Sequence, residues 1–271
     1  MPVEDALASA RMGMKTVMFS INLDSLAMLP CNPSIGGTGK GHLVREVDAL
    51  GGQMGLIIDR AMVQSKMLNT RKGPAVHSLR AQADKTRYHV EMKKVIESTD
   101  GLDLKQGEIV EIEVADGRVK SLLTSTGARY EAKAIILATG TYLGGKIFIG
   151  SAVFQSGPNG LAPSLKLAEN LKSHGVELWR FKTGTPARVN KRSLDYSKME
   201  AQYGDPKPVA FSFMNDSVEF EELPCWLTYT NERTHSVIQN NILRSAMYGG
   251  QIEGTGTRYC PSIEDKITRF A

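Results

Sequence analysis

The stretch Val3–Ser20, VEDALASARMGMKTVMFS, decides the fold class. Its alanine-rich first half predicts a short helix that stops at Gly13. The run Lys15–Ser20 behind it is apolar and β-branched, and it predicts a strand. A helix that ends on glycine and feeds a strand is the second half of a β-α-β unit, so the chain is expected to be α/β with a parallel sheet. The strand and glycine-rich turn that open such a unit do not precede Val3, so a truncated N-terminus is expected.

The next segment, Leu29–Leu43 (LPCNPSIGGTGKGHL), places four glycines, a lysine and a cysteine close together. A phosphate-binding P-loop needs Gly, four residues, Gly-Lys and then Ser or Thr. Here Ser34 holds the first position and Gly41 the last, so that pattern fails at both ends. The dinucleotide pattern G-x-G-x-x-G fails as well, because His42 stands where the third glycine belongs. What remains is a glycine-rich turn with Cys31 at its mouth.

Further on, His42–Gly52 predicts a helix, with Leu43, Val47 and Leu50 at helical spacing and Gly51-Gly52 as its end. Gly73–Ser98 predicts a longer helix opened by Pro74. Leu102–Gly140 predicts three or four strands, with a hairpin turn at Asp116-Gly117 and a fully apolar strand over Ala134–Leu137. That last strand runs into Ala138-Thr139-Gly140, which suits a close approach of backbone to a dinucleotide or an ordinary strand-to-turn ending. Ser164–Gly175 predicts a helix, Val176–Phe181 a strand, and Asn231–Met247 a late helix. The texture changes to short elements after Lys182, which places a domain boundary near Pro186–Asn190.

Composition excludes several classes. The chain has 271 residues, 41% hydrophobic and 23% charged, with a net charge of +4, as expected of a water-soluble globular protein. No apolar run approaches the roughly 20 residues that span a bilayer. The start carries acids and no apolar core, unlike a signal peptide. Cys31, Cys225 and Cys260 form neither a C-x-x-C pair nor a disulfide framework, so reduced thiols and a cytoplasmic location are expected. The five histidines show no metal-binding spacing, and no metal site is expected.

Two cysteines share a context: Cys31 and Cys260 each stand just ahead of Pro and Ser. At Cys260 the order Cys-Pro-Ser-Ile-Glu-Asp predicts a helix start with Pro261 in first position and Glu264 and Asp265 in the first turn. A thiol at a helix N-terminus sits in positive potential and ionises more readily. The alternative is that both are small buried hydrophobes, a role that fits Cys225 best. Lys66–Lys94 holds eight basic residues against two acids, and Arg180–Lys198 six against one. Such one-sided segments, with Tyr88, Trp179 and Phe181 among them, suit a phosphate backbone and stacked bases, or simply a solvated face.

Taken together, CNPSIGGTGKGHLVREVDALGG, KGPAVHSLRAQADK, ILATGTYLGGKIFIG, RFKTGTPARV and GTRYCPSIEDKITRF resemble the tRNA uridine 5-carboxymethylaminomethyl modification enzyme (MnmG, GidA) family. The resemblance runs over essentially the whole chain and covers less than half of a full member. It implies a Rossmann-like FAD-binding domain of the glutathione-reductase type with a β-strand insertion over 1–188. Part of a second, inserted α/β domain, with a NAD-binding segment, is implied over 189–271. The family's first strand and G-x-G-x-x-G loop, and everything after Phe270, fall outside the match.

The activity implied is modification of C5 of the wobble uridine, with FAD, NADH and a methylene from methylenetetrahydrofolate. The implied partners are tRNA, the GTPase MnmE and a second copy of the protein. By resemblance the two catalytic cysteines fall on Cys31 and Cys260. Cofactor contacts fall on Gly36, Gly37, Gly39, Lys40, Gly41, Ile109, Thr139, Gly140 and Ser164, and on Gly256, Arg258, Tyr259, Ser262, Glu264, Asp265, Lys266 and Phe270 of the nicotinamide stretch. The RNA-facing residues expected are Arg71, Lys72, Arg80 and Arg188. Two other readings stay open: a generic NADH–flavin oxidoreductase, and a non-catalytic module that binds RNA or a partner.

Overall fold

The computed structural model describes residues 2–30, 32–256 and 261–269. Helix α1 (Pro2–Arg11) buries Val3, Ala6, Leu7 and Ala10, a stripe at the spacing of one helical face. Behind it lie β1 (Thr16–Ser20), β2 (Ser34–Gly36), α2 (Lys40–Ala49) and α3 (Met54–Ala61). Then come β3 (Met62–Leu68), β4 (Ser78–Ala83), α4 (Lys85–Glu97) and β5 (Leu102–Gln106). Strand β5 lies parallel to β1, Thr16 opposite Leu102 and Ser20 opposite Gln106, so the α/β class expected from Val3–Ser20 is the one observed. Strands β2, β4 and β3 form a three-stranded antiparallel sheet with β4 in the middle.

One core holds these elements together. It contains Leu7, Ile57, Ile58, Met62, Met92 and Ile96, and complete burial of each such side chain stabilises by about 1.5–3 kcal/mol. The helices are also tied by polar contacts at their ends. The Glu4 carboxylate accepts the Gln53 and Met54 N–H groups at 2.8 and 2.7 Å, capping α3 from α1. Arg11 donates to the Gly51 carbonyl and to Gln53 Oε1, both at 2.6 Å.

A second, smaller core follows. Strands β6 (Ile109–Ala115), β7 (Arg118–Thr124) and β8 (Arg129–Glu131) form a meander whose first turn is the hairpin turn expected at Asp116-Gly117, and both residues there have positive φ. The hairpin β9 (Lys146–Ile149) and β10 (Ala152–Gln155) leads to α5 (Leu165–Ser173), which packs Leu167 and Leu171 on Ile112. The remaining elements are short: β11 (Phe181–Lys182), β12 (Glu200–Gln202), β13 (Cys225–Leu227), α6 (Glu232–Asn240), β14 (Thr255–Gly256) and α7 (Ile263–Arg269). The segment before β13 returns to the first core, where Phe211 is fully buried. The buried Asp59 carboxylate holds it there, accepting from the Phe211 and Ser212 N–H groups at 2.6 and 3.0 Å and from Asn215 Nδ2 at 2.8 Å.

Several expectations are corrected. Gly73–Ser98 is not one helix: Pro74–Val76 is a 3-10 turn, Ser78–Ala83 is the central strand β4, and α4 starts only at Lys85. The Asp84 side chain caps α4 by accepting the Thr86 and Arg87 N–H groups. Pairing on both edges fixes Ser78–Ala83 as a strand, although its composition suits a helix. In α2 the inward residues are Gly41, Val44 and Asp48, while Leu43 and Leu50 are 61% and 89% exposed. Ala134–Leu137 joins no ladder, and Ile136 and Leu137 are exposed. Of Val176–Phe181 only Phe181 is in a strand, and Trp179 is exposed. Pro261 precedes the helix start instead of occupying its first position, because Ser262 is the cap. Among the described residues no helix is long and apolar enough to cross a membrane.

Candidate functional site

The glycine turn joins β2 to α2 along the edge of β4. Gly36 pairs with Arg80, and the Gly37 N–H donates to the Leu79 carbonyl at 2.9 Å. Its glycines have two different jobs. A Cβ on Gly36 would collide with the Leu79 carbonyl oxygen and lie 3.0 Å from the Phe211 ring; one on Gly41 would lie 2.9 Å from the same oxygen. These two let the turn lie flat on β4. At Gly37 and Gly39 an added Cβ would meet nothing within 4 Å, so their bare backbone faces open space beside the exposed Lys40. At the start of α2, His42 Nδ1 accepts the Gly39 N–H at 3.3 Å.

The β3–β4 hairpin brings the basic residues to the same end of the sheet. Arg71 and Lys72 are exposed in the loop 69–77, and half-buried Arg80 stands on β4 between Gly36 and Lys66. Asn69 Nδ2 donates to Thr38 Oγ1 at 2.8 Å, tying the base of that loop to the apex of the glycine turn. Residues expected separately to hold a cofactor and RNA are thus neighbours. Arg188 is exposed in a segment without regular structure.

Ile109, Thr139, Gly140 and Ser164 gather around the second core. Ile109 opens β6, half-buried against Ile112 and α5. Thr139 and Gly140 begin a 3-10 turn that leads into Leu143 on that core. Ser164 is buried and holds φ 46° and ψ 50° at the start of α5. Of the described non-glycine residues with positive φ, four (Ala27, Leu29, Asn159 and Ser164) fall in two segments that touch each other, where Asn159 Nδ2 donates to Met28 Sδ at 3.4 Å. Left-handed backbone at non-glycine residues is costly and concentrates at functional sites. One of these segments leads directly to Cys31.

The third group surrounds α7. Ser262 caps that helix by accepting the Asp265 N–H at 3.2 Å, while Asp265 Oδ2 accepts the Ser262 N–H in return at 3.2 Å. Asp265 is buried and also takes Lys182 Nζ at 3.4 Å and the Tyr248 hydroxyl at 3.0 Å. Burial raises its pKa, but the Ser262 N–H, the Tyr248 hydroxyl and the Lys182 ammonium outweigh burial and hold the carboxyl below the usual range. Glu264 accepts the Ser245 hydroxyl at 2.7 Å. These two acids therefore anchor α7 to β11 and to the segment behind α6. Lys266 is exposed, and Gly256 closes β14 opposite Lys182. Cys31, Arg258, Tyr259, Cys260 and Phe270 lie outside the described residues.

Sequence reasoning missed Thr38, Asn69, Lys182 and Tyr248. Only Asn69 left a local signal, an asparagine closing an apolar run ahead of Gly and Pro. Among the described residues no group of three or more His, Cys, Asp or Glu side chains is placed to hold a metal ion.

The family described as "Glucose inhibited division protein A" matches residues 3–271. The chain belongs to this family. It is similar to the tRNA uridine 5-carboxymethylaminomethyl modification enzyme MnmG of Alkaliphilus oremlandii, with 63% identity over 99% of the chain and 42% of that protein. The Clostridium botulinum (strain Loch Maree / Type A3) protein of the same name is 60% identical over 98% of the chain and 43% of its own length. Among solved structures, Aquifex aeolicus GidA (form I crystal) superposes with a TM-score of 0.91 and 49% identity, covering 99% of the chain and 46% of that protein. The chain thus spans less than half the length of these GidA relatives.

Proposed function

We propose that this segment belongs to a flavin-dependent enzyme that modifies C5 of the wobble uridine of tRNA. In this reading FAD and NADH are the redox pair, and methylenetetrahydrofolate supplies a methylene that becomes part of a carboxymethylaminomethyl or aminomethyl group. The GTPase MnmE and a second copy of the protein are its partners. Residues 1–188 serve the flavin and 189–271 the nicotinamide. The observation that carries the reading is the glycine turn sharing one end of the sheet with the Arg71–Lys72 loop. A generic NADH–flavin oxidoreductase has no use for that basic loop.

The residues present fit a flavin. Gly37, Gly39 and Gly140 have open space where a side chain would stand, so a flat ring system can approach the backbone there. Ser164, buried in a left-handed conformation, marks a second contact. A bound flavin supplies hydride acceptance from NADH and transfer of that reducing power onward. Arg71 and Lys72 would hold the phosphate backbone of the RNA, and Cys31 and Cys260 would act on the base. Uracil C5 is a weak nucleophile; adding a thiolate to C6 makes C5 enolate-like and able to attack an electrophilic methylene, after which loss of the C5 proton to a base breaks the C6–S bond, restoring the uracil ring and the free thiolate. The other thiol acts as acid or base, or carries the methylene.

The test uses the full-length enzyme that contains this segment. Cys31→Ser and Cys260→Ser should each abolish tRNA modification while flavin binding and most NADH oxidation persist. Cys225→Ser is the control: its thiol only donates to Gln64 Oε1 at 3.4 Å and accepts from Gln82 at 3.8 Å. Normal modification by both loop-cysteine variants would overturn the covalent scheme.

A further inference from the structure

The loop that carries Arg71 and Lys72 is a long hairpin connection, residues 69–77, of a kind that is ordinarily mobile. Here hydrogen bonds draw its two ends together, while residues 70–76 stay exposed. The Lys72 N–H donates to the Asn69 carbonyl at 2.9 Å, the His77 N–H to the Pro74 carbonyl at 3.0 Å, and the His77 imidazole meets the Lys72 carbonyl at 3.0 Å. Asn69 is the hub. Its carboxamide nitrogen donates to the Val76 carbonyl at 3.1 Å and to Thr38 Oγ1 at 2.8 Å. A carbonyl can only accept, so Val76 fixes which way the carboxamide points. Asn69 holds φ 61°, a left-handed conformation that asparagine tolerates better than most residues. The Ser78 hydroxyl approaches Thr38 Oγ1 at 3.4 Å from the other end of the loop. The Ser78 proton goes to the Val76 carbonyl at 2.9 Å, so the Thr38 hydroxyl, at the apex of the glycine turn, accepts from Asn69 at one end of the basic loop and faces the Ser78 oxygen at the other.

We propose that the Thr38–Asn69 hydrogen bond couples RNA binding at the Arg71–Lys72 loop to flavin binding at the glycine turn, so that each ligand tightens the other. The inference rests on the flavin–tRNA reading above. The turn contains three positive-φ glycines, Gly36, Gly37 and Gly39, and the loop is exposed over residues 70–76, so each loses conformational freedom when a ligand orders it. While Asn69 joins them, the first ligand orders both and the second has less left to order. That is positive cooperativity without a change of fold, and it is reciprocal. A single neutral hydrogen bond corresponds to a coupling of about five-fold.

The experiment measures FAD affinity of the full-length apoenzyme with and without saturating unmodified tRNA. In the parent enzyme and in Thr38→Ser, which keeps the hydroxyl, tRNA should tighten FAD binding about five-fold. In Thr38→Val and Asn69→Gly the ratio should fall to one. Asn69→Gly keeps the left-handed backbone available, so it separates loss of the carboxamide from backbone strain. An undiminished ratio in Thr38→Val overturns the coupling and leaves the functional reading standing. A parent enzyme that binds neither FAD nor tRNA overturns the functional reading, and the coupling with it.

Discussion

The glycine turn contains glycines that look equivalent in the sequence and differ in their surroundings. Gly36→Ala and Gly37→Ala separate the two roles. Gly36 has φ 103° and Gly37 φ 87°, so alanine at either site enters backbone space that costs an L-residue about 1–2 kcal/mol. There the similarity ends. The new methyl at Gly36 would press on the Leu79 carbonyl oxygen, the Arg80 Cα at 3.1 Å and the Phe211 ring at 3.0 Å, whereas at Gly37 it would meet nothing within 4 Å. Two of those three atoms are backbone of a central strand and cannot turn aside, so forcing β2 off β4 adds about 1–3 kcal/mol. Gly36→Ala should therefore destabilise by about 2–5 kcal/mol and Gly37→Ala by about 1–2 kcal/mol. For a domain of this size the gap corresponds to about 2–12 °C in melting temperature. The measurement is a thermal melt of flavin-free full-length enzyme, because a bound cofactor would add its own stabilisation. Flavin retention is then measured for Gly37→Ala and Gly39→Ala, which should lose cofactor with little loss of stability. Equal melting temperatures for Gly36→Ala and Gly37→Ala would refute the packing argument.

Three further outcomes are expected. Asp59→Ala should lower stability by about 3–5 kcal/mol in urea unfolding, because it strands the buried Phe211 and Ser212 N–H groups; Asp48→Ala should cost less, since Asp48 Oδ1 has no partner and only Oδ2 accepts, from Phe213. Glutamate at Arg71 and Lys72 together should weaken tRNA binding and make its salt dependence shallower by about 0.7–0.9 in slope for each phosphate no longer neutralised, read from binding titrations at several salt concentrations. Asp265 has a depressed folded-state pKa, so the stability it contributes is present above the ordinary aspartate value near 4 and fades as pH falls through the folded value. Protection factors along α7, corrected for the intrinsic pH dependence of amide exchange, should accordingly be highest near neutrality and fall in acid, and in Lys182→Ala the fall should begin at a higher pH.

What could be read in the sequence was what neighbouring residues decide among themselves. The α1–β1 pair, the Asp116-Gly117 turn and α5 with its stop at Gly175 follow from local pattern, and all three are present. Residues 73–98 misled because alanine, leucine, arginine and glutamine favour a helix, while β2 and β3 claim the first half of that run for their sheet. A strand's identity depends on neighbours that the local sequence does not contain. The same limit governs the site. Glycines 36–41 announced a turn, but whether each one faces a ligand or a carbonyl depends on Leu79, far along the chain.

The contacts that bring distant segments together are long-range in the same way: Thr38 to Asn69, Met28 to Asn159 and Lys182 to Asp265. Each is a polar contact in which at least one partner (Asn69, Met28 and Asn159, or Lys182) was not expected as a site residue. Motif reading finds residues that touch a ligand, because their chemistry is unusual for a loop. It passes over residues whose partner is another side chain, because Thr, Asn and Met are ordinary there. Thr38 therefore discriminates between the two kinds of signal. Nothing in GGTGKG marks it, yet its hydroxyl meets both ends of the basic loop, accepting from Asn69 and lying 3.4 Å from Ser78 Oγ. If Thr38→Val leaves the linkage between tRNA and FAD unchanged, the glycine turn and the hairpin are neighbours that act separately, and shared position at one end of a sheet is not enough to infer shared function.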